Sequence, residues 1–586
     1  MLPQLLFLLL PSLAAQQAPQ APGPNARPVG AAEPAPMLQV ARDAVDHTMA
    51  DLEDQDEPPY HLAIGVTQSH SLSLSASNGA IMSRNEDWNR YADLDLRVGE
   101  FALDNTHKLL DAGWFSEEGR SVVRLPVGDG ADDMDAAELT LWRELDDSYQ
   151  QAVRRMTKVR ANQAVKVERD DPSDDFSPAP KVVDIRPVQD VALSEAWEDS
   201  LREVSSVFLE YPDVLKSGVE VTAEAETFLL ANSEGTQIQH TRVRYRASVY
   251  AVSVADDGAQ LAVYDYLDAS TEEGLPDAET LTELAHVAAQ RVTDLKKAPL
   301  LEPYTGPAIL RGRAAGVFFH EIFGHRIEGH RQKDEDEGQT FTDMVGEQVL
   351  PDFISVVDDP TIRSMAGLDL NGTYPYDDEG VVAQKVSLVD HGELQGFLMS
   401  RAPIEGIDSS NGHGRRQPGN AIVARQGNLI VQAHESVPYE ELREMLIKQV
   451  VAQDKPFGLI VDDITGGFTL TGRVTPNSFN VRPVSVWRVY ADGRPDELVR
   501  GGDFIGTPLT TFSRILAAGD DPEVFNGVCG AESGWVPVSA VSPSLLLEEI
   551  EVQRKEKEND RPPLLPAPPA PEGKSKSVAD ATQEPA

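Results

Sequence analysis

Eleven residues, His320-Glu321-Ile322-Phe323-Gly324-His325-Arg326-Ile327-Glu328-Gly329-His330, set two imidazoles around a carboxylate. An apolar run, Ala314-Ala315-Gly316-Val317-Phe318-Phe319, leads straight into them. Imidazole is a common zinc ligand, and a carboxylate beside a metal-bound water can take that water's proton. The familiar form of the device is H-E-x-x-H, with both ligands on one helical face. Here the second His stands at i+5. Five residues advance a regular helix by about 500°, which points the two side chains about 140° apart. His320 and His325 can reach one ion only where the helix widens, as in a π-bulge, or ends near Gly324. Glycine there supplies the distortion at low steric cost. Without that chemistry, the same residues read as a buried helix whose histidines are satisfied by hydrogen bonds.

The elements that must hold these residues fall into two parts. In the first, Leu38, Val40, Ala41, Val45, Met49 and Leu52 give residues 38–53 an amphipathic helical pattern, and 69–77 alternate as a strand does. Residues 136–166 read as a long charged helix and 276–297 as another, with strand-like runs at 227–230 and 243–254 between them. The second part opens near Tyr304 with a short strand, 308–310, feeding the helix that carries His320 and Glu321. Strand-like runs then dominate, at 381–389, 394–399, 429–431, 458–461, 484–490 and 544–552. Gly-Gly, Asp-Gly and Asn-Gly pairs punctuate them as hairpin turns require. The expected fold class is α+β. An N-terminal α/β domain (37–300) precedes a β-rich C-terminal domain (301–552) carrying a metal-site helix.

Lys plus Arg number 51 against 96 Asp plus Glu, a net charge of −45. That balance argues against a nucleic-acid partner, for which phosphate neutralisation is the main affinity term, and against anionic lipid. Residues 1–15 form a short apolar run ending in small residues. It is too short to span a bilayer and resembles a secretory signal peptide, although only the α-amino group precedes it as a positive charge. The leader implies export, to a periplasmic or extracellular compartment; without it the location is cytoplasmic. Residues 16–36 read as a Pro/Ala-rich spacer and 553–586 as a disordered Pro-rich tail. No segment reads as a stable membrane span. One cysteine, Cys529, rules out an intrachain disulfide. It sits in what reads as a Gly-rich turn of the second domain. A catalytic zinc takes three protein ligands and keeps one position open, so two histidines leave one ligand to find.

Several segments together resemble the TldD/PmbA metallopeptidase family, and specifically its metal-bearing TldD-like branch. They are Asn232-Ser233-Glu234-Gly235, Tyr304-Thr305-Gly306-Pro307, the run from His320 to Glu328, Asp377-Asp378-Glu379-Gly380, and Cys529-Gly530 followed by Val536-Pro537-Val538. The resemblance implies metal ligation by His320, His325 and Cys529, with Glu321 as general base. His330 stands where many family members carry an acidic residue. The resemblance further implies a site enclosed between two subunits, in a homodimer or a heterodimer with a related subunit. Extended peptides would reach it by pairing with a strand edge.

The resulting expectation is a zinc-dependent peptidase for unfolded or flexible peptides. Two other readings stay open. One is a metzincin-like peptidase with His330 as third ligand. The offset from His320 to His330 equals the outer spacing of H-E-x-x-H-x-x-G-x-x-H, but the middle His is displaced by one and Ile327 occupies the Gly position. The other is a non-catalytic scaffold or binding subunit that keeps the motif. Outside the motif, Asn232–Gly235 reads as a turn between strands, and Asp377-Asp378-Glu379 as either a solvated acidic loop or part of the site.

Overall fold

Asn78 and Gly79 take positive φ (51° and 80°) and turn the chain back after Pro59–Ser77 into Ala80–Glu100. Asn-Gly favours this two-residue turn because both central positions need that backbone. In this computed structural model, which describes residues 32–109, 121–164, 171–334, 337–472, 479–506 and 512–554, the long hairpin is the centre of an eight-stranded sheet. Pro59–Ser77 also pairs antiparallel with Lys216–Asn232, and that strand with Gln237–Val254.

Four helices cover the apolar side of the sheet. Helices α1 (Pro36–Asp51) and α2 (Ala131–Gln163) lay Leu38, Ala41, Leu141 and Leu145 on Leu62, Ile64, Leu94 and Leu96. Helices α3 (Ala196–Ser206) and α4 (Ala278–Lys297) lay Leu201, Val204, Ala285 and Val292 on Val219, Val221, Ala247 and Val249.

The second half contains two further large sheets, with helix α5 (Gly312–Ile322) between them, and two small two-stranded ones. In one, Gly458–Thr469, Tyr304–Leu310, Leu545–Arg554, Gly502–Gly506 and Phe479–Val489 pair in that order. The last also pairs with the first, which closes a ring. The other has six strands, with Asn428–Ala433, Gly534–Ser542 and Glu523–Ala531 adjacent at one end. All of α5 except Arg313 is buried, as a helix apolar on every side must be. The architecture is the α+β arrangement that the sequence implies.

Several local expectations need correction. The run at 394–399 is a two-residue strand, Glu393–Leu394, and then irregular chain. In the run at 381–389 the strand begins only at Val386. A helix at Tyr439–Ala452 went unread, although Leu442, Leu446 and Val450 mark its buried face. Residues 1–31 and 555–586, which hold the expected leader, most of the spacer and most of the tail, lie outside the described residues. The spacer's end is tied down: Ala35 N donates to Gln239 Oε1 at 2.7 Å. Among the described residues no helix is long and apolar enough to cross a membrane.

One of the segments singled out above joins the two halves, and another is bound within the second. Asn232–Gly235 is a turn, with Asn232 Oδ1 accepting from Thr236 N at 2.9 Å and Gly235 at φ 88°. Its Glu234 takes both ends of the Arg401 guanidinium, at 2.7 and 2.8 Å. The acidic run is not solvated. Asp377 is buried and accepts from the backbone of Glu379, Val381 and Gly414 at 2.9–3.0 Å. Asp378 accepts from Arg416 N, and Glu379 from Arg401 N.

Candidate metal centre

Helix α5 ends where the i+5 spacing requires. Phe323 N donates the last helical hydrogen bond, to Phe319 O at 2.9 Å, and a 3₁₀ turn, Gly324–Ile327, follows. Arg326 folds back and donates Nη1 to the carbonyls of Ile322 (2.9 Å) and Glu321 (3.3 Å). A cation on these otherwise unpaired carbonyls caps the helix. The tighter turn swings His325 round to His320, and their ring centroids lie 5.1 Å apart. Of the two routes by which the spacing could work, the helix end is the one used.

Gly324 is needed for room, not for an unusual φ, which it does not take. A Cβ there would collide with the side-chain amide of Gln426, whose Nε2 donates to His320 O at 3.3 Å. Gly324→Ala is therefore expected to push Gln426 off the helix end. The expected cost is about 1–3 kcal/mol of stability, as for other overpacked sites, together with weakened metal retention. Denaturant unfolding and metal content check this; a variant equal to wild type in both would contradict it.

Cys529 lies on a strand, Glu523–Ala531, and not in a turn; it sits opposite Val536 in the neighbouring strand. Gly527 and Gly530 are strand residues because the rings of Phe525 and Trp535 lie over them. Alternation points Cys529 inward, against α5, and Val528 outward. Gly316 lets the helix come close: a Cβ there would stand 3.0 Å from Ala540 O on the paired strand.

The result is one group. Ligand atoms of His320, His325 and Cys529 all lie within 4.8 Å of one another, with Cys529 Sγ 3.3 Å from His325 Nε2. Glu321 is the next residue to His320 on α5 and acts on that imidazole electrostatically. All four are buried, with between 4% and 8% exposure. Burial alone would raise the Cys529 thiol, but His325 and His320 beside it hold it well below the ordinary range. Burial would likewise lower His325, but Cys529 and Glu328 hold it well above.

The donor set fits a metal. A thiolate with two imidazoles suits zinc. His320 Nδ1 is buried and unpartnered among the described residues. His330 does not join the group; it pairs with Glu532 in a separate cluster with Glu328.

Glu328 had no role assigned from sequence. It is fully buried 3.2 Å from His325 Nδ1, and a carboxylate three residues after a ligating His is a signal that could have found it. Burial would raise its carboxyl, but His325, Arg331 and Arg425 hold it at about 2. Arg425 and Gln426, which also touch the centre, come from a segment with no motif.

A large cleft lies elsewhere. A cleft of about 1890 Å³ separates the polar face of the eight-stranded sheet from Asp377, Asp378 and the outer face of the Cys529 hairpin, where Val528 and Trp535 are exposed. None of the four site residues lines it.

Comparison with known proteins agrees with the resemblance. The PmbA/TldA metallopeptidase C-terminal domain matches residues 303–554, and the central domain of the same family matches 184–296. A metalloprotease of Methanocaldococcus jannaschii is 29% identical over 256 residues, 44% of this chain and 52% of that protein. A metalloprotease TldD homolog of Haemophilus influenzae is 30% identical over 251 residues, 42% of this chain and 48% of that protein. The chain thus spans about half the length of these relatives. The structure of TldE from Thermococcus kodakarensis superposes with a TM-score of 0.57 at 15% identity, over 87% of this chain and 100% of that one. A proposed modulator of a DNA gyrase from Thermotoga maritima superposes with a TM-score of 0.56 at 16% identity, over 87% and 99%. At such identities these two establish a common fold only. With both of its domain signatures in order and the fold in common, the chain belongs to the TldD/PmbA metallopeptidase family.

Proposed function

We propose that the protein is a zinc-dependent peptidase that hydrolyses unfolded or flexible peptides. His320, His325 and Cys529 are the zinc ligands in this reading and Glu321 the general base. The convergence of three ligand atoms at the end of the helix that carries Glu321 carries it, and the metalloprotease names of the relatives support it. Zinc held there supplies a Lewis acid that polarises a peptide carbonyl and acidifies water. Glu321 takes the proton from water and delivers it to the leaving amine. Gln426 and Arg326 fix the end of α5, so Glu321 and His320 keep their relative positions.

The working unit in this reading is a homodimer, or a heterodimer with a related subunit; the likeness to TldE supports the second. Residues 1–15 direct export.

Burial of the site sets the substrate form. Side chains with at most 8% exposure admit an extended segment but not a folded surface. One protein offered in native and in denatured form, with cleavage followed by mass, tests this. Rapid cleavage of the denatured form and resistance of the native form are expected. Comparable rates on both would contradict an enclosed site.

A further inference from the structure

One buried ion network touches two of the proposed ligands at once. Glu328 Oε2 lies 3.2 Å from His325 Nδ1 and accepts from Arg331 Nε at 3.0 Å. Its Oε1 faces Arg425 Nε at 3.4 Å. Arg425, fully buried as well, donates Nη2 to the carbonyl of Cys529 at 2.9 Å and Nη1 to Ser533 Oγ at 2.7 Å and Gly534 O at 3.1 Å. Glu532 and Ser533 make the turn of the Cys529 hairpin, and Gly534 opens its second strand. The backbone around Glu328 is itself fixed: Leu398 N donates to Ile327 O at 2.9 Å, and Gly329 N to Leu398 O at 2.8 Å.

His325 and Cys529 stand 204 residues apart, on a helix end and a strand. Their separation must be held to within a few tenths of an ångström for one ion to bind both. A buried carboxylate with two guanidiniums is a poor device for stability alone, since well-packed apolar residues commonly do as well or better. It is a good device for registry. A carboxylate on the far nitrogen of a ligating imidazole fixes the ring and its tautomer.

We propose that Glu328 and Arg425 are positioning residues that act as one clamp. Glu328 fixes the ring of His325, Arg425 fixes the backbone of Cys529, and the ion pair between them sets the distance between the two ligands. The clamp rests on the zinc reading above, and its test separates the two. Zinc affinity by chelator competition, and the absorption spectrum of the cobalt(II)-loaded protein, are measured for wild type, Glu328→Gln, Arg425→Lys and the double variant. Each single variant is expected to bind zinc about 10–100-fold more weakly, the range for lost outer-shell partners. The double variant should be no worse than the poorer single, because either change opens the same clamp. The cobalt bands should shift in Glu328→Gln, and the thiolate charge-transfer band should change in Arg425→Lys, which a purely structural role would not produce. Folded variants with wild-type affinity and spectra would overturn the clamp, as would losses that add in the double variant. Should Glu328→Gln fail to fold, Arg425→Lys, which keeps the charge, decides alone. A wild-type protein that takes up neither zinc nor cobalt overturns the zinc reading, and the clamp with it.

Discussion

Glu321→Gln is expected to lower the turnover number by about 10²–10⁴, the usual worth of a positioned general base, while zinc content stays as in wild type. The amide is nearly isosteric but cannot accept a proton from water. The loss should therefore fall on the chemical step, with KM little changed. Steady-state kinetics on an unstructured peptide, with metal content measured on the same sample, provides the check. Equal activity in variant and wild type would remove Glu321 from the mechanism. Loss of metal along with activity would make it a structural residue.

Cys529→Ser should have the other large effect. Serine keeps the size but not the soft, readily ionised sulfur, and it leaves two imidazoles to hold the metal. Zinc retention should fall by more than the roughly 10–100-fold of an outer-shell change, and activity with it. His330→Ala should keep both, because His330 pairs with Glu532 outside the group. The reverse pattern, with metal lost in His330→Ala and kept in Cys529→Ser, would favour the metzincin-like arrangement.

What was legible in the sequence divides along the range of the interactions involved. The apolar lead-in to His320 forecast a buried helix, and the i+5 spacing forecast its end near Gly324, because both follow from helical geometry within one segment. The α+β class followed from helical and strand periods mixed in the first half and strand periods dominating the second. Cys529 was misplaced in a turn because Gly527 and Gly530 flank it. Gly530 seats the ring of Trp535 from the paired strand, a cross-strand fact that local composition does not carry. The helix at Tyr439–Ala452 was readable from Leu442, Leu446 and Val450 and was passed over among the surrounding strand signals. Arg425 could not have been found. Its partners, Glu328 and the Cys529 carbonyl, lie about a hundred residues away on either side, and no spacing rule connects them.

The central claim is that His320, His325 and Cys529 hold one zinc ion. Elemental analysis of wild-type protein purified without chelator, beside Cys529→Ser prepared in the same way, tests it most directly. The account predicts about one zinc per chain in wild type, as a three-ligand site implies, and little in the variant. Wild-type protein that stays far below one zinc per chain after reconstitution, or a variant that holds as much as wild type, would contradict it.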